Sequence, residues 1–192
     1  MIVDDRCIVR ASFHNPEKAF PLDLVINPKM SFGTGHHETT RLMIQIQLET
    51  DHGNKTVLDV GCGTGILSIL AEKLGAGSVL GLDIDAWAFE NAQENIRENR
   101  CNKTEIRKSG IESLDENQKF DIILANINRQ IIIQDMMRYS HHSGNNGLLI
   151  CSGFLSDDRN LIRSEAARYG FEYRSGSTIN KWSAMVFQKK TN

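Results

Sequence analysis

The sequence has no excess of positive charge. Its 22 Lys and Arg stand against 24 Asp and Glu, for a formal net charge of −2. It therefore offers no basic face for a polyanion, and a direct nucleic-acid partner is not expected. It also lacks long apolar runs. No stretch approaches the roughly 18 to 20 apolar residues of a membrane helix, and the N-terminus carries no apolar signal-peptide core, so no membrane partner is expected and a cytoplasmic location is. Cysteine is sparse and dispersed: Cys7, Cys62, Cys101 and Cys151 form no Cys-x-x-Cys pair. Neither a zinc cluster nor a disulfide framework is expected, no metal site is assigned, and a reducing compartment fits best. Internal repeats and low-complexity tracts are missing too.

What is present is the balance of a globular protein, 40% hydrophobic and 24% charged over 192 residues. That length suits one α/β domain with a sizeable core. From Lys55 onward, apolar strand-like runs alternate with amphipathic stretches, the pattern of a mostly parallel sheet covered by helices. Strands are predicted at Thr56 to Val60, Ser78 to Ile84, Thr104 to Lys108, Phe120 to Ile127 and Gly147 to Ser152. A closing pair is predicted at Phe171 to Arg174 and Ala184 to Gln188. Helices follow from Ile66, Leu70 and Leu74 with Gly75 as a stop, from Ala88, Ala92 and Ile96, from Ile132 and Met136, and over Arg159 to Tyr169 with Gly170 as a stop.

The first forty residues differ in character. Cys7 to Ala11 and Leu22 to Ile26 read as short strands around a polar loop with Pro16 and Pro21, so residues 1–40 are expected to be an extension and linker edge and residues 41–192 the catalytic domain. Leu42 to Leu48 alternates like a strand, yet Leu42 and Ile46 suit a helix. The polar and charged flanks favour the helix, since an uncovered strand there is costly.

The strongest motif is Asp59-Val60-Gly61-Cys62-Gly63-Thr64-Gly65 at the carboxyl end of the first strand of the alternating region. Glycines allow unusual backbone angles and close approach of a ligand, at the end of an open α/β sheet where ligands bind. A dinucleotide fingerprint would need Gly-x-Gly-x-x-Gly, whereas bulky Ile66 stands at the third glycine's place, which disfavours a nicotinamide cofactor. Asp83 ends the next strand, where a carboxylate can accept hydrogen bonds from both ribose hydroxyls of a nucleoside; Asp85 suits the cap of the following helix.

Gly-x-Gly-x-Gly after a strand and an acidic residue resembles motif one of the Rossmann-like methyltransferases. Together with Phe32-Gly33-Thr34-Gly35-His36-His37-Glu38-Thr39-Thr40 and Ala125-Asn126-Ile127, it closely resembles the ribosomal protein methyltransferases of the PrmA type. The likeness runs from about Asp4 to Gln188 and includes Cys151-Ser152-Gly153-Phe154-Leu155, with Phe154 where the family has Ile. It implies a class I S-adenosylmethionine-dependent methyltransferase with a seven-stranded, mostly parallel sheet, helices on both faces and the last strand inserted antiparallel. It also implies S-adenosylmethionine as cofactor and amino groups (the α-amine and lysines) of large-subunit ribosomal protein eleven as substrate. Position by position it carries Thr40, Gly61, Gly63, Asp83 and Asn126 over as cofactor contacts. The family His falls at His37, which leaves His36 in the variable place, and Glu38 stands where many members have Pro.

Asn126 is also the candidate catalytic residue, because its amide oxygen can accept a hydrogen bond from an incoming amine but cannot act as a base. A same-fold alternative is methyl transfer to another protein or a small molecule; an adenine-modifying enzyme would more often show Asn/Asp-Pro-Pro-aromatic where Asn126-Ile127-Asn128-Arg129 stands. A different-class alternative is a nucleotide-binding module without catalysis. Family members also carry a separate N-terminal domain with no counterpart in these residues, so the chain is expected to be a piece of a longer protein rather than a shortened relative. His141 and His142 are expected in a solvated loop, Cys62 as a filler in the turn, and Trp182 with Phe187 as packing for the last strands. Among Ile131, Ile132 and Ile133, one is expected to be partly exposed toward a substrate or partner domain.

Overall fold

The computed structural model describes residues 1–27 and 37–191. Three short strands, β1 (Ile2–Val3), β2 (Cys7–Arg10) and β3 (Leu22–Val25), form a small sheet in the order β1-β2-β3. Helix α1 (Glu38–Leu48) follows, so the ambiguous 42–48 segment is helical, and the expected 40/41 division falls inside it. Then come β4 (Thr56–Val60), α2 (Ile66–Lys73), β5 (Ser78–Asp83), α3 (Ala86–Glu98), β6 (Thr104–Lys108), β7 (Phe120–Asn126) and α4 (Arg129–His142). The chain closes with β8 (Ser143–Leu155), α5 (Arg159–Arg168), β9 (Phe171–Ile179) and β10 (Trp182–Lys189).

The large sheet has seven strands in the order β6-β5-β4-β7-β8-β10-β9. Its first five strands are mutually parallel, and β10 runs antiparallel between β8 and β9, as expected. One face buries Leu42 and Met43 of α1, Ile69 of α2 and Ala92 of α3, together with Val9 and Leu24 of the small sheet. The other buries Ile132 and Met136 of α4 and Ile162 of α5. Helices thus cover both faces, and β4 lies in the middle, flanked by β5 and β7.

Three expectations need correction. The closing strands are longer than the apolar runs suggest, because β9 and β10 form one hairpin around Asn180 and Lys181, both at positive φ (46° and 71°). Such a two-residue turn matches the strand twist and keeps the polar Ser175 to Thr178 stretch paired. β8 begins at Ser143 rather than Gly147, since Ser143 already pairs with Phe120 before an irregular stretch. His141 and His142 are not loop residues but end α4. His142 is buried, with Nδ1 at 2.9 Å from the Gln118 carbonyl oxygen, and burial lowers its pKa. No helix among the described residues is long and apolar enough to cross a membrane.

Candidate functional site

The carboxyl ends of β4, β5 and β7 open into a cleft of about 1050 Å³. Its floor is the turn from β4 into α2, where Gly61, Gly63 and Gly65 all have positive φ (67°, 56° and 78°). Gly61 and Cys62 donate their amide hydrogens to the Leu82 carbonyl at 2.8 and 3.0 Å, which ties the turn to β5. A Cβ on Gly61 would lie 2.4 Å from Ile127 Cγ2, so at this positive φ only glycine fits without displacing the Ile127 side chain.

Asp83 ends β5. Its Oδ2 accepts from the Gly63 amide at 2.8 Å and its Oδ1 from the Asp85 amide at 3.0 Å, while Asp85 caps α3 by accepting from Ala88 N at 2.8 Å. The carboxylate thus braces the glycine turn and keeps further lone pairs facing the cleft. Across β4, Asn126 ends β7. Its Nδ2 donates to Thr40 Oγ1 at 3.4 Å, and its Oδ1, shut off from water, meets no donor among the described residues. The five sequence-assigned residues, Thr40, Gly61, Gly63, Asp83 and Asn126, therefore line one cleft. Residues 32–36, His36 included, lie outside the described residues.

Several lining residues carried no assigned role in the sequence. His37 caps α1, accepting from the Thr39 amide at 3.3 Å, and packs edge-on against Trp182, with ring centroids 4.8 Å apart. Trp182 and Phe187 both pack β10, as expected, but in different cores: Phe187 on the α4–α5 face, Trp182 against the α1–α3 core while also lining the cleft. Gly153, at φ 99°, lets β8 pass so close to the loop after β7 that a Cβ would sit 2.0 Å from the Ile127 carbonyl oxygen. Ile84, Trp87 and Ile131 are 76%, 68% and 39% exposed although they line the cleft, so they present open apolar surface to whatever fills it. Ile131 is the exposed member of the isoleucine triplet; Ile132 is fully buried.

The electrostatics are one-sided. Asp83, Asp85, Glu112 and Asp135 line the cleft, and no Lys or Arg does among the described residues. Beneath the glycine turn, Asp59 is fully buried; its Oδ2 accepts from Ser68 Oγ at 2.6 Å and its Oδ1 meets no donor among the described residues. Burial pushes the Asp59 carboxyl up to about 7, opposed by the Ser68 hydrogen bond and reinforced by Asp83. The buried Cys62 thiol is raised as well, by desolvation and then by both carboxylates, so it is an inert filler of the turn.

A family model described as ribosomal protein L11 methyltransferase (PrmA) matches residues 1–190. Among curated relatives, the ribosomal protein L11 methyltransferase of Porphyromonas gingivalis is 44% identical over 96% of this chain and 64% of its own length. That of Bacteroides thetaiotaomicron is 41% identical over 97% of this chain and 67% of its own length. The chain thus spans about two thirds of the length of these relatives. Among solved structures, a ribosomal protein L11 methylase from Lactobacillus delbrueckii subsp. bulgaricus superposes with a TM-score of 0.90 at 26% identity, covering 99% of this chain and 97% of that one. A magnesium protoporphyrin IX methyltransferase from Synechocystis, with a TM-score of 0.65 at 20% identity over 77% of this chain and 76% of that one, shares the fold alone. The large sheet is thus the class I methyltransferase fold.

Proposed function

Since the chain belongs to the ribosomal protein L11 methyltransferase family, we propose that it transfers methyl groups from S-adenosylmethionine to amino groups, the α-amine and lysines, of that ribosomal protein. The observation that carries this reading is the convergence of Gly61, Asp83 and Asn126, from the ends of three neighbouring strands, on one cleft. In this reading residues 41–192 are the catalytic unit and 1–40 an extension, with Thr40 at the join. A ribosomal protein substrate sets the reaction in the cytoplasm.

The donor supplies a methyl group already activated on a sulfonium, so no side-chain nucleophile is required. The Gly61–Gly65 turn admits the donor close to the main chain, Asp83 accepts hydrogen bonds from the ribose, and Ile84 with Trp87 covers an apolar face. With its amide turned so that the oxygen meets the cleft, Asn126 accepts a hydrogen bond from the incoming amine and directs its lone pair toward the methyl group, a positioning role. The amine must arrive neutral: at pH 7 that costs roughly 4 to 5 kcal/mol for a lysine of pKa about 10.4, and roughly 1 kcal/mol for an α-amine near 7.8. The described cleft offers no Lys or Arg to repel an arriving ammonium.

Calorimetric titration with S-adenosylmethionine and, in parallel, NADH tests the site on wild type and Asp83→Ala. Binding of the methyl donor alone, weakened by the substitution, supports the reading; binding of NADH alone overturns it. Mass spectrometry of the ribosomal protein after incubation then counts methyl groups. Asn126→Ala is expected to lower turnover more than donor affinity, and an equal loss in both would reduce Asn126 to a cofactor contact.

A further inference from the structure

The reading of the cleft as a methyl-donor site leaves the buried Asp59 without a task. Asp59 lies on β4, one residue short of its end, and pairs in register with Gly81 of β5 on one side and Leu124 of β7 on the other. The strand order puts β4 between Asp83, at the tip of β5, and Asn126, at the tip of β7. A donor whose ribose meets Asp83 and whose methyl meets an amine at Asn126 must carry its sulfur over the end of β4. The sulfur bears a positive charge in the donor and none in the demethylated product. One charge is the largest difference between the two ligands.

We infer that Asp59 lets the cleft distinguish the cationic methyl donor from the neutral-sulfur product, holding a proton in the free protein and the product complex and releasing it to solvent when the sulfonium is in place. A fully buried carboxylate whose hydrogen bonds all come from Ser68 and whose other oxygen meets no donor among the described residues is costly to ionise unless a cation comes near. Among the described residues no resident cation serves. On β5 the charged residue is Asp83, of the same sign; in the turn it is the raised Cys62 thiol, which stays neutral. On β7 it is Asp121, which holds Thr56 at the opposite end of the sheet, and on α2 it is Glu72 and Lys73 in the last turns, away from Ser68. From the cleft wall, Asp85, Glu112 and Asp135 add negative charge, and His37 stands at the start of α1.

The consequence is a pH-dependent preference. Above the range where Asp59 ionises, its carboxylate favours the donor over the product; below it, the neutral acid favours neither. At an effective dielectric constant of about 20, one charge acting over about 10 Å, two strand spacings, changes the affinity ratio by about 15-fold.

Titration calorimetry with S-adenosylmethionine and S-adenosylhomocysteine on the full chain, from pH 5.5 to 8.5, tests this. In wild type the ratio of product Kd to donor Kd is expected to rise about tenfold more than in Asp59→Asn, whose profile records the ligands' own amines. In two buffers of different ionisation heat near pH 7, donor binding is expected to release more protons than product binding, and this excess is expected to vanish in the variant. Ser68→Ala retains the carboxyl but removes its hydroxyl hydrogen bond, so the wild-type transition is expected to move to higher pH; this arm holds even where Asp59→Asn does not fold. Superimposable ratio profiles in wild type and variants overturn the inference while leaving the cleft a methyl-donor site. Binding of neither ligand overturns both.

Discussion

The small sheet and the large one are closed by different means. In the seven-stranded sheet, each inner strand finds its backbone partners in neighbouring strands, and helices supply apolar cover. The small sheet shares the apolar core through Val3, Val9, Leu24 and Ile26, but side chains complete the hydrogen bonding along β3. Asn99 of the α3 cap accepts from Val25 N at 2.9 Å and donates to its carbonyl at 2.7 Å, while Asn95 accepts from Asn27 N at 3.0 Å and Asn91 donates to Asn27 O at 3.0 Å. The spacing of four puts the three amides on one helix face. Asn95 also donates to the Thr64 carbonyl at 2.9 Å, so one buried amide holds both the extension and the glycine turn. Apolar packing can slide; this ladder has a register. The lesson is that the extension is keyed to the cleft by polar groups, even though burial supplies its adhesion.

Breaking the key should have the largest effect. Asn95→Leu removes the hydrogen bonds to Asn27 N and Thr64 O, and urea unfolding is expected to show a loss of about 3 kcal/mol, with weaker donor binding. A loss below about 1 kcal/mol would mean that packing alone joins the two regions. Next in size is a pH effect confined to the large sheet. Asp59 binds its proton more tightly in the folded protein than in the unfolded chain, so its stabilising contribution is complete below about pH 4 and is lost as pH rises through about 7. Between pH 5 and 8 wild-type stability is expected to fall by on the order of 2 kcal/mol relative to Asp59→Asn, read from parallel melting curves. A third change strikes the turn itself: Gly61→Ala sets a methyl against Ile127 at positive φ and should cost about 1–2 kcal/mol, part of it recovered by adding Ile127→Ala. The smallest effect belongs to the surface of the small sheet. Removing the Arg10–Asp23 pair through Arg10→Ala should cost about 0.5 kcal/mol or less beyond lost packing, and a much larger loss would show that charge, not the asparagine ladder, fixes the extension.

The same contrast explains what could be read from the residues. Thr56 to Val60 and Thr104 to Lys108 end where expected, because turn residues bound them and their side chains suit strands. That Gly61, Gly63, Asp83 and Asn126 share one cleft was legible because motifs at strand ends carry them, and Thr40 joins them because its motif opens α1. The hidden features depend on distant polar partners. Ser175 to Thr178 is paired only because a tight turn returns β10 beside it. His37 meets Trp182 from the far end of the chain, and Gly153 shows its purpose only beside Ile127. Asn91, Asn95 and Asn99 look like a solvated helix face until β3 is laid against them; two of them are wholly inaccessible.

The ladder grips main chain, not side chain, and that sets how this part of the molecule can change. At positions 25 and 27 the asparagines recognise an amide hydrogen and a carbonyl that nearly every amino acid possesses. Substitutions there leave the register readable, so long as the strand stays extended. Proline lacks the hydrogen and is the one residue the ladder cannot read. Related chains can therefore vary at these two positions while α3 keeps its asparagines, and divergence of the strand need not loosen the turn beneath the cleft.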